Sequence, residues 1–230
     1  MILFIDTEHP DVLHHVELGP AHRIKVQVAC DSFAAYAGQS CRPLPFGEAT
    51  LGTIERLAPT AIVVGGNTTD WALFDLSSLQ NLFETIRLAP VPILGICAGH
   101  QLIGYAHGAA WGGLGILRSG EIDPDPRFAP GLRKERGYLP VDLDPRCPLF
   151  RGLDDGATFF QSHYWQLSAA PKGFVVRASS PWTPIQAIER SDRFVFGVQF
   201  HPERCDDIHP HGAAVLRNFF ALAARARRTD

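Results

Sequence analysis

Short apolar runs alternate with longer mixed stretches along the first hundred residues. Ile2 to Ile5 is an apolar run that stops at Asp6 and reads as a first buried strand. Arg23 to Ala29 alternates polar and apolar side chains, which predicts a second strand. Ala49 to Leu57 carries a helical pattern, and Ala61 to Val64 follows as another buried strand. That strand runs into Gly65-Gly66-Asn67-Thr68-Thr69-Asp70, a loop of turn formers. Leu76 to Leu88 is helical and is ended by Pro90; Val91 to Ile96 is then a buried strand leading straight into a helix, Ala98 to His107. Strands alternating with helices predict an α/β domain with a mostly parallel central sheet flanked by helices.

The second half reads differently. Residues 110 to 136, rich in Gly, Pro and charge, predict a looped excursion. Short β-like runs follow at Gly137 to Leu143, Thr158 to Gln161, Phe174 to Ala178, Ile185 to Ile188 and Val195 to Phe200, suggesting a small antiparallel section. A closing amphipathic helix, Gly212 to Arg228, carries Val215, Leu216, Phe219, Phe220 and Leu222 on its apolar side. No repeat or linker divides the chain, so residues 1–230 are expected to form a single domain.

Composition changes the picture mainly by exclusion. At 46% hydrophobic, 20% charged and net charge −3, the chain has an ordinary globular balance and no electrostatic reason to bind nucleic acid. No apolar run is long enough to span a bilayer. Met1 to Ile5 has no basic lead and no small-residue cleavage site, so it is expected to be a strand and not a secretory leader. The five cysteines (Cys30, Cys41, Cys97, Cys147, Cys205) are scattered and odd in number, which points to a reducing, cytoplasmic setting without a disulfide framework. No Cys-x-x-Cys pair is present, so no zinc site of that kind is expected.

Two stretches carry chemistry. In Gly95-Ile96-Cys97-Ala98-Gly99 a cysteine stands at a strand-to-helix junction between two glycines, the cysteine version of a nucleophile elbow. The glycines let backbone and helix approach closely, and the positive helix start favours a thiolate and an oxyanion. Alone, the frame is equally explained by a buried structural cysteine beside packing glycines. The second stretch, Phe194 to Glu203, is a strand ending in His201-Pro202-Glu203. On a strand His201 and Glu203 would face one side, and Pro202 keeps His201 extended. A carboxylate there can hold one imidazole nitrogen and leave the other as a base. Alone, this is a surface turn; with the elbow it completes a nucleophile, base and orienter. Other residues invite less. His209-Pro210-His211 reads as a solvated turn, and Glu8-His9 and His14-His15 as surface pairs. Trp111 and Trp182 read as packing or rim residues, the remaining cysteines as inert thiols, and Arg225, Arg227 and Arg228 as complements to a helix end.

Pro92 to Gln101 and Gly197 to Glu203 resemble the two core motifs of the class I glutamine amidotransferases, the triad-type glutaminase domains. Gly65-Gly66 after the third strand, Ser162-His163 before the late strands and the apolar closing helix extend the resemblance along most of the chain. The resemblance implies a flavodoxin-like three-layer sandwich and a triad of Cys97, His201 and Glu203. It implies an oxyanion hole from the N–H groups of Gly66 and Ala98. It also implies glutamine contacts at Gln101, Ser162 and His163, with Tyr164 adjacent. It implies hydrolysis of the glutamine amide through a Cys97 thioester, without cofactor or metal, and ammonia passed to a synthetase. No Gly-x-x-x-x-Gly-Lys phosphate loop is present, so the acceptor chemistry is expected on another chain. Two departures stand out. Asn67 occupies a position where the family usually has proline, so the loop is expected to flex more; Tyr164-Trp165 replaces a usual small residue. A γ-glutamyl hydrolase with the same triad, and a catalytically silent binding or regulatory protein, remain open alternatives.

Overall fold

A computed structural model describes residues 1–226. Its first half is a series of strand–helix units: β1 (Ile2–Asp6), α1 (Pro10–His14), α2 (Leu18–Ala37), β2 (Cys41–Pro45), α3 (Leu51–Leu57), β3 (Ala61–Val64), α4 (Gln80–Leu88), β4 (Ile93–Ile96) and α5 (Ala98–Ala106). The second half is strand-rich: β5 (Trp111–Gly113), β6 (Glu135–Pro140), β7 (Asp142–Leu143), β8 (Thr158–His163), β9 (Trp165–Leu167), β10 (Val175–Ser179), β11 (Ala187–Arg190) and β12 (Val195–Val198), closed by α6 (His211–Ala226).

Eight strands form one sheet in the order β2-β1-β3-β4-β12-β11-β10-β7. From β2 to β12 all neighbours are parallel; β11, β10 and β7 continue the sheet antiparallel. The ribbons β5-β9 and β6-β8 supply the rest of the antiparallel section. The order around β1 and β3 is that of a doubly wound sheet, whose ligands sit beyond the carboxyl ends of the strands.

Alternation along each central strand feeds two cores. Leu3, Ile5, Ile62, Val64 and Ile93 face one side, against Ile54 of α3, Leu82 and Ile86 of α4 and Leu102 and Ile103 of α5. Ile2, Phe4, Val63, Leu94, Phe196 and Val198 face the other, against Phe33 of α2 and Val215, Leu216 and Phe219 of α6. The three layers expected of an α/β sandwich follow from this period-two division. No helix among the described residues is long and apolar enough to cross a membrane.

The second strand is a correction. Arg23 to Ala29 lies inside α2, and the strand beside β1 is Cys41–Pro45. The alternation misleads because Ile24 and Val28 are 67% and 63% exposed; the helix turns Cys30 and Phe33 inward instead. The real strand holds Pro43 and Pro45 and buries only Leu44, which a sheet edge permits. Residues 110 to 136 are less irregular than expected: β5 pairs with β9, and Ile116 bridges to Leu132. Arg227 and Arg228 lie outside the described residues.

Candidate active site

The elbow forms because close approaches leave no room for side chains. Cys97 follows β4 with φ 54° and ψ −106°, a positive-φ conformation that non-glycine residues avoid. Such a residue stores about 1–3 kcal/mol of strain and persists only where its surroundings impose it. A Cβ on Gly99 would lie 2.1 Å from the Val64 carbonyl oxygen, and one on Gly95 2.5 Å from the Gly99 carbonyl carbon. The Cys97 N–H donates to the Val198 carbonyl at 2.8 Å, which ties the elbow to the end of β12. Cys97 is 6% exposed, at the start of α5 where Ala98 begins the helix.

His201 reaches the same place by another route than a strand. β12 ends at Val198, and His201 and Glu203 sit in a bridge-and-turn segment instead of on one strand face. The His201 N–H donates to the Phe160 carbonyl of β8 at 2.8 Å, and its carbonyl accepts from Arg204 N–H at 3.2 Å. Nδ1 of His201 lies 2.7 Å from Glu203 Oε1, and the ring hydrogen-bonds Cys97. Burial works to lower the imidazole's affinity for a proton; the charge of Glu203 and the Cys97 sulfur beside the ring outweigh it and push the pKa up to about 10. Gly66 packs over this pair. A Cβ there would lie 3.3 Å from His201 Cε1 and 3.4 Å from Cys97 Cβ, so the backbone of the Gly65-Gly66 loop meets the cysteine and the ring together.

Gln101, on α5, is 2% exposed and fully engaged. Its oxygen accepts from Trp71 Nε1 at 2.6 Å; its nitrogen donates to the Trp165 carbonyl at 2.8 Å and to Gln199 Oε1 at 3.0 Å. Gln199 in turn points its nitrogen at Cys97 Sγ, 3.7 Å away. Both side-chain donors of Gln101 are thus spent on the protein. Ser162 accepts a hydrogen bond from Arg136, which faces it across the β6-β8 ribbon. His163 is buried, with Nδ1 3.0 Å from the Trp165 carbonyl and Nε2 3.1 Å from Glu135 Oε2. Burial acts to raise the Glu135 carboxyl; the His163 contact and bonds from Ser180 and Thr183 outweigh it and hold the group below its ordinary value. Tyr164 turns its hydroxyl to Asp70 Oδ2 at 2.8 Å, and Trp165 Nε1 reaches the same oxygen at 3.4 Å. The two aromatic residues therefore tie to the loop that carries Gly66.

Several of these partners give little sign of themselves in the sequence. Gln199 directly follows β12, and a polar residue at the end of an apolar run is its only signal. Glu135 and Arg136 fall in the stretch expected to be looped. Glu8 is the opposite of a surface residue: it is fully buried, receiving Thr68 and Thr69. Among the described residues no group of His, Cys, Asp and Glu is placed to hold a metal ion; His209 stacks on Tyr138 with 3.5 Å between ring centroids.

A parallel sheet whose central strand delivers a cysteine elbow against an imidazole–carboxylate pair defines a class: cysteine-nucleophile amide hydrolases of the glutamine amidotransferase kind. Comparison with known proteins gives the family. The family model "Glutamine amidotransferase class-I" matches residues 44–223, and the chain belongs to that family. It is 30% identical over 166 residues to a subunit of glutamine-hydrolyzing GMP synthase from Methanosphaera stadtmanae, covering 72% of this chain and 76% of that one. It is 31% identical over 170 residues to the glutamine-hydrolyzing GMP synthase of Lactococcus lactis, covering 74% of this chain but only 29% of that longer protein. A solved structure from Thermoplasma acidophilum, described as a GMP synthase subunit protein, matches with a TM-score of 0.73 over 99% of this chain and 96% of that one, at 21% identity; it shares the fold.

Proposed function

We propose that this chain is the glutaminase component of a two-chain GMP synthase, with residues 1–230 forming one glutaminase domain that works in the cytoplasm beside a separate synthetase. The observation that carries the reading is the hydrogen-bonded set of Cys97, His201 and Glu203 with the Gly66 backbone packed against it. The similarity to GMP synthase subunits of comparable length supports the choice of system.

The Cys97 sulfur attacks the side-chain amide carbon of glutamine, and the carbonyl electrons move onto oxygen. The N–H groups of Ala98 and Gly66 receive that oxyanion; losing one such donor typically costs about 3 kcal/mol of barrier. His201, held charged by Glu203, gives its proton to the amide nitrogen, the C–N bond breaks, and ammonia leaves a thioester on Cys97. His201, now neutral, takes a proton from water; the hydroxide attacks the thioester carbon, the C–S bond breaks, glutamate departs, and the thiolate of Cys97 is restored beside a charged His201. Ser162 and His163, at the end of β8, and the adjacent Tyr164 are the residues that the family resemblance assigns to the amino-acid end of glutamine. The ammonia then passes to the synthetase.

The test is glutamate release from glutamine by the purified chain, followed by GMP formation once the synthetase is added. Wild type is expected to release glutamate, and Cys97→Ala to release none. With the synthetase present, GMP formation by the Cys97→Ala complex is expected to return when ammonium replaces glutamine. Equal glutamate release by wild type and Cys97→Ala would reject the reading. Hydrolysis of γ-glutamyl amines with glutamine untouched would move the assignment to a γ-glutamyl hydrolase.

A further inference from the structure

The loop that carries Gly66 has no proline to stiffen it, yet it is anchored on both sides of Gly66 and Asn67. Gly65 N–H donates to the Ile5 carbonyl at 2.9 Å, and Thr7 Oγ1 donates to the Gly65 carbonyl at 3.1 Å. One step further on, the buried carboxylate of Glu8 gathers the rest. Its Oε2 accepts from Thr68 N–H at 2.8 Å and from Thr68 Oγ1 at 2.7 Å; its Oε1 accepts from Thr69 Oγ1 at 2.8 Å and from His9 N–H at 2.9 Å. Glu8 shows no solvent exposure. A buried carboxylate is tolerated only when its lone pairs are satisfied, and bonds of this charge-assisted kind are about twice as strong as neutral ones. His22 backs the cluster, 4.0 Å from Glu8 Oε2 and bonded to Asp6 at 2.9 Å. On its far side the loop is held by Asp70, which accepts from Tyr164.

We propose that Glu8 is the positioning residue for the oxyanion hole: it fixes the loop through Thr68 and Thr69, so that the Gly66 N–H stays aimed at the reacting oxygen whether or not a partner chain is bound. The argument is one of geometry. Gly66 lies two residues before Thr68, and its Cβ position is within 3.4 Å of both Cys97 and His201. A misplacement of about 1 Å at such a donor costs up to about 100-fold in rate. Asn67 does not fix its own φ as a proline would, so the aim of the loop depends on the carboxylate behind it. The inference rests on the glutaminase reading above.

The experiment uses the full-length chain without a synthetase. Glu8→Gln keeps the shape but turns an NH2 toward a donor that the carboxylate accepted. Its kcat for glutamate release is expected to fall at least about tenfold, with KM changed less than about threefold. Alkylation of Cys97 by iodoacetamide, followed on the Cys97 peptide, passes through no oxyanion; its rate is expected to stay at the wild-type value. The double variant Thr68→Val, Thr69→Val removes both hydroxyl donors to Glu8 and leaves the carboxylate with its two backbone N–H donors; it serves if Glu8→Gln does not fold, and its kcat is expected to fall in the same direction. Combining it with Glu8→Gln is expected to add little, since coupled residues are not additive. Wild-type kcat in either variant overturns the assignment of Glu8. A parallel loss of kcat and of iodoacetamide reactivity also overturns it, because the elbow and not the oxyanion loop has then moved. An active wild type with an unaffected Glu8→Gln sinks only this inference, whereas a wild type that releases no glutamate sinks the glutaminase reading and this one with it.

Discussion

At the scale of single residues, the centre is an imidazole held charged between a carboxylate and a sulfur. Burial pulls the proton away from His201; Glu203 does most to hold it on, raising the pKa from the ordinary 6.5 to about 10. Glu203→Gln removes that charge, so the pKa falls back and the general acid is lost at lower pH. The alkaline limb of kcat/KM is expected to move down by at least about one unit, read from a pH–rate profile with glutamine. The same shift has a sign in stability. A raised folded pKa stabilises the protein fully below 6.5, and that stabilisation is lost as pH rises through 10. Unfolding free energy is therefore expected to decline across that window, and to decline less in Glu203→Gln. Behind the reacting groups runs a chain of buried polar contacts from Glu135 through His163, the Trp165 carbonyl, Gln101 and Gln199 to Cys97. Gln199→Leu, which keeps the volume and removes the amide beside the sulfur, leaves the Gln101 nitrogen with one donor unpaired. It is expected to lower kcat about tenfold by freeing the rotamers of Gln101 and Cys97; steady-state kinetics with glutamine measures it.

At the scale of elements, glycine backbones decide where the site stands. Gly99 lets α5 pack under the Val64 carbonyl, and Gly212 lets α6 pack under the turn that carries His201, with a Cβ there only 2.2 Å from the Pro202 carbonyl oxygen. Gly212→Ala is expected to cost about 1–3 kcal/mol in urea unfolding and to lower kcat as well, because the helix pushes the His201 turn aside. A variant that loses stability and keeps wild-type kcat would break that link between α6 and the turn. Elements also show where periodicity misleads. Arg23 to Ala29 alternates as a strand does, but α2 leaves Ile24 and Val28 in solvent, and no buried face corresponds to the alternation. The strand that does pair with β1 is proline-bearing and mostly exposed, so it lacks an apolar signal to be found by.

At the scale of the molecule, the sheet order does the assembling. β4 and β12 are neighbours, with Gly95 opposite Gly197 and Ile96 opposite Val198, and their carboxyl ends bring Cys97 and the His201 turn together from distant parts of the chain. The backbone pairing sets this register, and the helical layers stabilise it by burying the strands' side chains. Phe219 of α6 is fully buried and meets Phe196 of β12 edge to face, with 6.4 Å between ring centroids. Phe219→Ala is expected to cost about 3–5 kcal/mol, measured as a lower midpoint of thermal unfolding, while the folded fraction keeps its kcat at room temperature.

The sequence by itself determined most of the alternating strands and helices, the cysteine elbow and the His-Pro-Glu segment. These are local patterns: a run of apolar residues, a cysteine with a glycine two positions to either side, a carboxylate two positions from an imidazole. Only the tertiary structure decided that Glu8 grips a loop 60 residues away, that Gln199 faces a sulfur 102 residues away, and that Glu135 lies under His163. Such contacts join polar residues far apart in the chain, whose sequence neighbours carry no sign of the pairing. Burial and pairing give them their roles, and neither exists until the sheet has brought distant segments side by side.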